Sequence, residues 1–117
     1  MRKIAIVGGK RIPFARSFTQ YMGVTNQDLM LGAIQPLVQA YGLSGEVIGE
    51  VVTGAVIKHS SDWNFTREVT LRSGLSPYTP GYDVVQACGT SLEAAIAVGN
   101  KIALGQIESA IAGGVSR

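Results

Sequence analysis

The spacing of apolar positions changes along the chain, and each change marks an element. Ile4-Ala5-Ile6-Val7 is a short continuous apolar run closed by Gly8-Gly9, which predicts a first strand, buried on both faces and ending in a turn. Lys10 to Gly23 reads as a loop bent at Pro13, with Arg11 and Arg16 on either side of the bend. Thr25 followed by Asp28 resembles a capping box, and Leu29, Met30, Ala33, Ile34, Leu37, Val38 and Tyr41 then recur at helical spacing. This predicts a helix from about Asn26 to Tyr41, stopped by Gly42. Pro36 lies inside it and removes the bond to the carbonyl of Gly32, so a kink or local widening is expected there.

Glu50 to Ile57 is rich in valine and fits a second buried strand, followed by a polar loop from Lys58 to Trp63. Asn64 can cap a short helix to about Ser73, with Gly74 as its stop and Pro77 and Pro80 barring continuation. Tyr82 to Gln86 reads as a third strand. From Gly89 to about Leu104 runs a helix whose only strongly polar members are Glu93, Asn100 and Lys101, so it is apolar or small nearly all round and belongs in an interior. Ser109 to Ala112 forms a last strand ending in Gly113-Gly114. Strands alternating with helices predict an α/β domain with a mostly parallel sheet and right-handed crossovers. The apolar last helix predicts a covering layer from another domain or subunit.

Composition narrows the classes. A chain of 117 residues suffices for one compact domain with a real core. With 46% hydrophobic and 15% charged residues, the apolar supply exceeds what a small solvated globule needs, which again implies a surface meant for covering. The net charge is +2 and the ten Lys and Arg residues form no run, so a nucleic-acid partner is not expected. No window approaches the roughly 20 apolar residues of a membrane span, and the opening run is too short for a signal peptide. A soluble protein without membrane attachment is expected. A single cysteine leaves no disulfide framework and no cysteine-based metal site, as suits a reduced, cytoplasmic protein.

That cysteine, Cys88, follows a predicted strand and precedes Gly89-Thr90-Ser91 at the start of the buried helix. Unpaired N–H groups at a helix start favour an anion, which suits a thiolate at a nucleophile elbow, and Gly89 leaves room for a reacting carbonyl. The competing reading is a small buried hydrophobe. A cysteine nucleophile also needs a base. His59, the single histidine, lies in a polar Lys-His-Ser-Ser loop and reads as a solvated loop residue rather than a partner of Cys88.

Gln86 to Ala95 resembles the nucleophile segment of thiolases, where a cysteine heads a buried helix and small residues and hydroxyls follow. Ile4 to Val7 leading to Arg11-Ile12-Pro13-Phe14, Asn64-Phe65-Thr66-Arg67-Glu68, and Ala110-Ile111-Ala112-Gly113-Gly114 match the family in the same order. The resemblance implies a thiolase-like β-α-β-α-β-α-β half-domain, with residues 1–117 as a partial N-terminal domain lacking the loop domain and the C-terminal domain. It implies that Cys88 accepts an acyl group from an acyl-coenzyme A or 3-ketoacyl-coenzyme A, forming a thioester that a second thiol or a carbon nucleophile opens. Coenzyme A is then substrate rather than resident cofactor, and a homo-oligomer, by default a dimer, is expected. The activating histidine, a second cysteine and the coenzyme-A-binding loop are expected beyond Arg117, so the chain alone is expected to be an incomplete catalyst.

Many thiolases carry Ser or Ala after the nucleophile and then Ser-Gly, whereas this chain has Gly89-Thr90-Ser91. That pattern is similar to acyl-coenzyme A acetyltransferases of the fatty-acid β-oxidation type. In relatives the segment of Asn64 and Arg67 lies near the dimer interface and active site, although a helix cap and a solvated charge explain both residues equally well. Gly113 and Gly114 read as backbone that lets the active-site loop pack closely, with a simple strand-ending turn as the alternative. Arg11 and Arg16 read as surface charge, with phosphate contact as the alternative. Two other functions compete: a ketosynthase, using a cysteine at the same elbow on carrier-bound acyl groups, and a non-catalytic interaction module in which Cys88 is inert.

Overall fold

Val51, Val52 and Thr53 have no solvent exposure at all, because the strand that carries them is flanked on both edges and covered on both faces. This strand, β1 (Glu50–Thr53), pairs in parallel with β2 (Gly81–Asp83) on one side and β3 (Ala110–Ala112) on the other, in the order β2-β1-β3. The structure is a computed structural model describing residues 1–16, 18–57 and 59–116. Ser17 of the predicted first loop, Lys58 at the head of the polar loop and the terminal Arg117 lie outside the described residues.

Period-two alternation sends successive residues of β1 to opposite faces. Val51 and Ile111 join one cluster with Met30, Ile34 and Val38 of α1 (Asn26–Ala40) and Phe65 and Val69 of α2 (Phe65–Arg72). Val52 joins a second with Ala94 and Val98 of α3 (Thr90–Ala103), against Tyr82, Ala110 and Ala112. The sheet is thus a middle layer, with α1 and α2 on one face and α3 on the other. Each fully buried Val or Phe contributes about 1.5–3 kcal/mol to this core. The expected α/β class with a parallel sheet holds.

Local chemistry accounts for the helix ends. The Thr25 hydroxyl accepts the Asp28 N–H at 3.1 Å, while the Asp28 carboxylate accepts the Thr25 N–H at 3.2 Å, closing the predicted capping box. Helix α1 continues through Pro36 and closes at Gly42, whose φ of 64° lets Leu43 N–H reach the Val38 carbonyl at 2.9 Å. Gly105, at φ 75°, closes α3 in the same way, with Gln106 N–H on the Lys101 carbonyl at 2.9 Å. Lys101 reaches back to Glu50 of β1 at 2.8 Å, and this hydrogen bond holds its ammonium above the ordinary lysine value.

Three predicted elements need correction. Ile4 to Val7 is not a strand but an extended arm outside the sheet, tied by Arg2 N–H to the Ala103 carbonyl at 3.0 Å and by the Tyr41 hydroxyl to the Val7 carbonyl at 3.3 Å. Ile4 to Val7 pairs with neither outer strand of the order β2-β1-β3, and strand propensity without a ladder partner makes no sheet. Ile6 and Val7 are accordingly exposed. The second strand stops at Thr53 rather than Ile57, although Ala55 resumes contact as an isolated bridge to Val115. The third strand runs from Gly81 to Asp83 and not to Gln86, because Val84 N–H makes the last bond to β1, on the Thr53 carbonyl at 3.0 Å.

Asp83 then turns its carboxylate to the start of α2, accepting the N–H groups of Phe65 at 3.1 Å and Thr66 at 2.7 Å. It supplements the predicted Asn64 cap, whose Oδ1 accepts Arg67 N–H at 3.2 Å. Asp83→Ala is expected to lower stability by about 1–3 kcal/mol, read as a lower urea midpoint with unchanged slope.

The last helix is covered on one side only. Ala94, Val98 and Ala103 are buried, while Leu92 is 67% and Ile96 48% exposed. This outer apolar face is the surface for which the composition predicted a cover.

Candidate active site

Parallel strands end on the same side of a sheet, and ligands of open α/β folds bind in the crevice beyond their carboxyl ends. The segments leaving β1, β2 and β3 meet there, and together with the loop before α1 they line a half-open cavity of about 790 Å3. Val56, Ile57 and His59 come from the first exit, Ala87, Cys88, Thr90 and Ser91 from the second, and Gly114, Val115 and Ser116 from the third. Phe14, Tyr21 and Met30 supply apolar wall, and Lys10, Arg11 and Arg16 supply positive charge.

Cys88 is exposed, in a 3-10 turn (Ala87–Gly89) that leads into α3. The predicted helix start at Gly89 thus becomes a tighter turn, with the α-helix beginning at Thr90. Ala87 stands at φ 46°, in the left-handed region that an alanine occupies at a cost of about 1–3 kcal/mol. Thr90, 3% exposed, holds this conformation: its hydroxyl accepts Gln86 N–H at 2.9 Å and donates to the Ala87 carbonyl at 2.8 Å. A strained residue immediately before an exposed thiol, locked by a buried hydroxyl, has the form of a nucleophile elbow. A Cβ added at Gly89 would meet only the Gln86 side chain, at 3.4 Å, so the space beside the thiol is open.

Gly114 has a sharper requirement. A Cβ there would lie 3.0 Å from Ser91 Cβ and 3.3 Å from its Cα and backbone nitrogen, so the exit from β3 packs directly on the first turn of α3. This is the close approach that the paired glycines predicted, and it falls on Gly114 alone, since a Cβ at Gly113 meets only ordinary contacts. Gly114→Val is expected to displace the Cys88 turn and cost about 1–3 kcal/mol, with a changed rate of iodoacetamide alkylation at Cys88 as its local readout.

The other candidates divide. Arg11 and Arg16 line the cavity, and Arg11 stacks 4.0 Å from the Phe14 ring centroid. His59 is exposed, as a loop histidine should be, yet it lines the same cavity as Cys88; its Nδ1 is engaged by Ser61. Arg67 is not a solvated charge, because it donates to the carbonyls of Thr79 at 2.9 Å and Pro77 at 2.6 Å, fixing the loop before β2. Sequence reasoning missed Thr90 and Asp83 as organisers. A hydroxyl just after the nucleophile and a carboxylate at a strand end were the available signals.

The sequence and the fold have counterparts among known proteins. A family model described as the N-terminal domain of thiolase matches residues 4–117. The 3-ketoacyl-CoA thiolases of Yersinia pestis (strain Pestoides F) and Yersinia pseudotuberculosis (serotype O:1b, strain IP 31758) are 39% identical over 112 residues, which is 96% of this chain and 26% of theirs. An acetyl-CoA acetyltransferase of Bacillus anthracis superposes with a TM-score of 0.74 at 27% identity, over 81% of this chain and 24% of that one. The acetyl-CoA acetyltransferase of Syntrophomonas wolfei, at 22% identity and a TM-score of 0.80 over 87% of this chain and 26% of its own, shares the fold. The chain therefore spans about a quarter of the length of these relatives. Sequence match across nearly the whole chain and a shared fold agree, and the chain belongs to the thiolase family, to its N-terminal domain.

Proposed function

We propose that this chain is the nucleophile-bearing N-terminal portion of a thiolase, an acyltransferase acting between acyl-coenzyme A or 3-ketoacyl-coenzyme A and coenzyme A. The observation that carries the reading is Cys88, exposed in a strained turn that opens on a cavity of about 790 Å3 beyond the strand ends. The names of the relatives, 3-ketoacyl-CoA thiolase and acetyl-CoA acetyltransferase, support the substrate class.

In the forward step the Cys88 thiolate attacks the thioester carbonyl carbon. A new carbon–sulfur bond forms as the bond to the coenzyme A sulfur breaks, and the expelled thiolate takes up the proton that Cys88 gave up. The apolar wall of Phe14 and Met30 receives the acyl group, and Lys10, Arg11 and Arg16 suit the phosphates. An ordinary thiol is only a small fraction thiolate at neutral pH, so turnover needs a base. His59 does not supply it, because its Nδ1 already accepts from Ser61. Residues 1–117 act as a partial domain, and the base and the acid that finish the reaction belong to further thiolase segments. Such segments, or a second copy in a homodimer, cover Leu92 and Ile96 of α3, and a reduced cytoplasm keeps Cys88 in its thiol form.

The test uses acetyl-coenzyme A in excess at about pH 9, where an ordinary thiol is largely thiolate and needs no base. The expected result is a single acetyl group per chain with no further release of coenzyme A. Continuous release would overturn the incompleteness, and no uptake would leave the interaction-module reading in its place.

A further inference from the structure

We infer that His59 donates a hydrogen bond from Nε2 to the carbonyl oxygen of the acyl thioester as Cys88 attacks it. This rests on the acyl-transfer reading above and adds to it a residue that contacts the substrate.

The tautomer comes from the partners of the ring. Ser61 N–H donates to His59 Nδ1 at 3.1 Å, and the Ser61 hydroxyl lies 2.8 Å from the same nitrogen. A backbone N–H can only donate, so Nδ1 holds the lone pair and, in the neutral ring, the proton sits on Nε2. The turn that carries the ring is anchored. Asp62 N–H donates to the His59 carbonyl at 2.9 Å, and the buried Asp62 carboxylate accepts from Gln27 of α1 at 3.0 Å.

The ring also has a defined position. Ser61 and Asp62 line a smaller pocket of about 380 Å3 beside the start of α1, and His59 lines both that pocket and the one holding Cys88. The imidazole therefore borders both pockets, with its Nδ1 engaged by Ser61. Three other neutral side-chain donors on the cavity wall are committed elsewhere, which leaves the Ser91 and Ser116 hydroxyls besides His59. The Tyr21 hydroxyl donates to the Pro13 carbonyl at 2.7 Å, Asn26 Nδ2 to the Ile57 carbonyl at 2.9 Å, and the Thr90 hydroxyl to Ala87.

Chemistry gives the donor its use. Attack of the Cys88 sulfur turns the carbonyl oxygen into an oxyanion before the bond to coenzyme A breaks, and a fixed N–H aimed at that oxygen lowers the barrier. Because its lone pair is engaged, His59 takes no proton from Cys88. It acts on the oxygen.

The experiment measures acetylation of Cys88 by acetyl-coenzyme A at about pH 9, by mass spectrometry, in the native protein, His59→Leu and His59→Gln. His59→Leu is expected to slow acetylation about 10- to 100-fold, below the usual effect of a buried oxyanion donor because the ring is exposed. His59→Gln keeps an N–H donor and recovers part of the rate. Alkylation of Cys88 by iodoacetamide develops no oxyanion, and changes less than about twofold in both variants. If His59→Leu is acetylated at the native rate, or if alkylation falls in proportion, the inference is overturned while the reading of Cys88 stands. If the native protein takes up no acetyl group, the functional reading falls and the inference falls with it.

Discussion

A single methyl group added at Gly54 is expected to destabilise the protein by about 3 kcal/mol, or to prevent folding outright. The Cβ of an alanine there would lie 1.8 Å from the Val84 carbonyl oxygen, 3.0 Å from its carbon and 2.8 Å from Thr90 Cγ2. None of these can retreat cheaply. Val84 N–H holds the Thr53 carbonyl at 3.0 Å as the last rung between β1 and β2, and Thr90 is the buried staple of the cysteine turn. The damage therefore reaches the site as well as the sheet. Urea unfolding of Gly54→Ala reads the loss of stability. Gly9→Ala serves as the control, since a Cβ there meets nothing within 4 Å and is expected to change stability by no more than about 0.5 kcal/mol. Equal midpoints for the two variants would contradict the packing described at the strand ends.

The second large effect is chemical. Cys88→Ala is expected to reduce acetyl uptake from acetyl-coenzyme A to the background of lysine acylation, at least about 100-fold, because no other side chain on the cavity wall offers a thiol. Cys88 is exposed and packs into neither hydrophobic cluster, so the thermal midpoint should stay within a degree or so of the native one. Those paired readings separate a nucleophile from a structural cysteine. A buried hydrophobe would show the reverse, with lost stability and unchanged uptake.

Much of this molecule could be read from its sequence, and the parts that could not share a cause. The capping box at Thr25 and Asp28, the stop at Gly42 and the Asn64 cap are local devices, written in residues a few positions apart, and all three stand where the spacing predicts them. The opening strand is a different matter. Ile4 to Val7 has strand propensity, but a strand also needs a ladder partner, and pairing is decided by contacts with strands far along the chain. The early ends of β1 and β2 have the same origin, since they follow from where one backbone passes another.

The site divides similarly. Cys88 announces itself as the lone cysteine between a strand and a helix, whereas the left-handed Ala87 and the cavity shared with His59 arise only when three strand exits converge. A polar Lys-His-Ser-Ser loop looks solvated in sequence, and His59 is indeed exposed. What the sequence does not carry is that β1 and β2 are neighbours in the parallel sheet, which places the two loops together. Apolar periodicity was also generous to α3: its composition suggested burial all round, and the fold buries one face and leaves Leu92 and Ile96 outward.

The central claim is that Cys88 is the acyl acceptor, and the location of the acetyl group tests it most directly. The native protein is treated with acetyl-coenzyme A at about pH 9, digested, and its peptides mapped by mass spectrometry before and after neutral hydroxylamine, which cleaves thioesters and spares amides. The account predicts a hydroxylamine-labile acetyl group on the peptide that contains Cys88. An acetyl group found only as stable amides on lysines, with Cys88 unmodified, would contradict it.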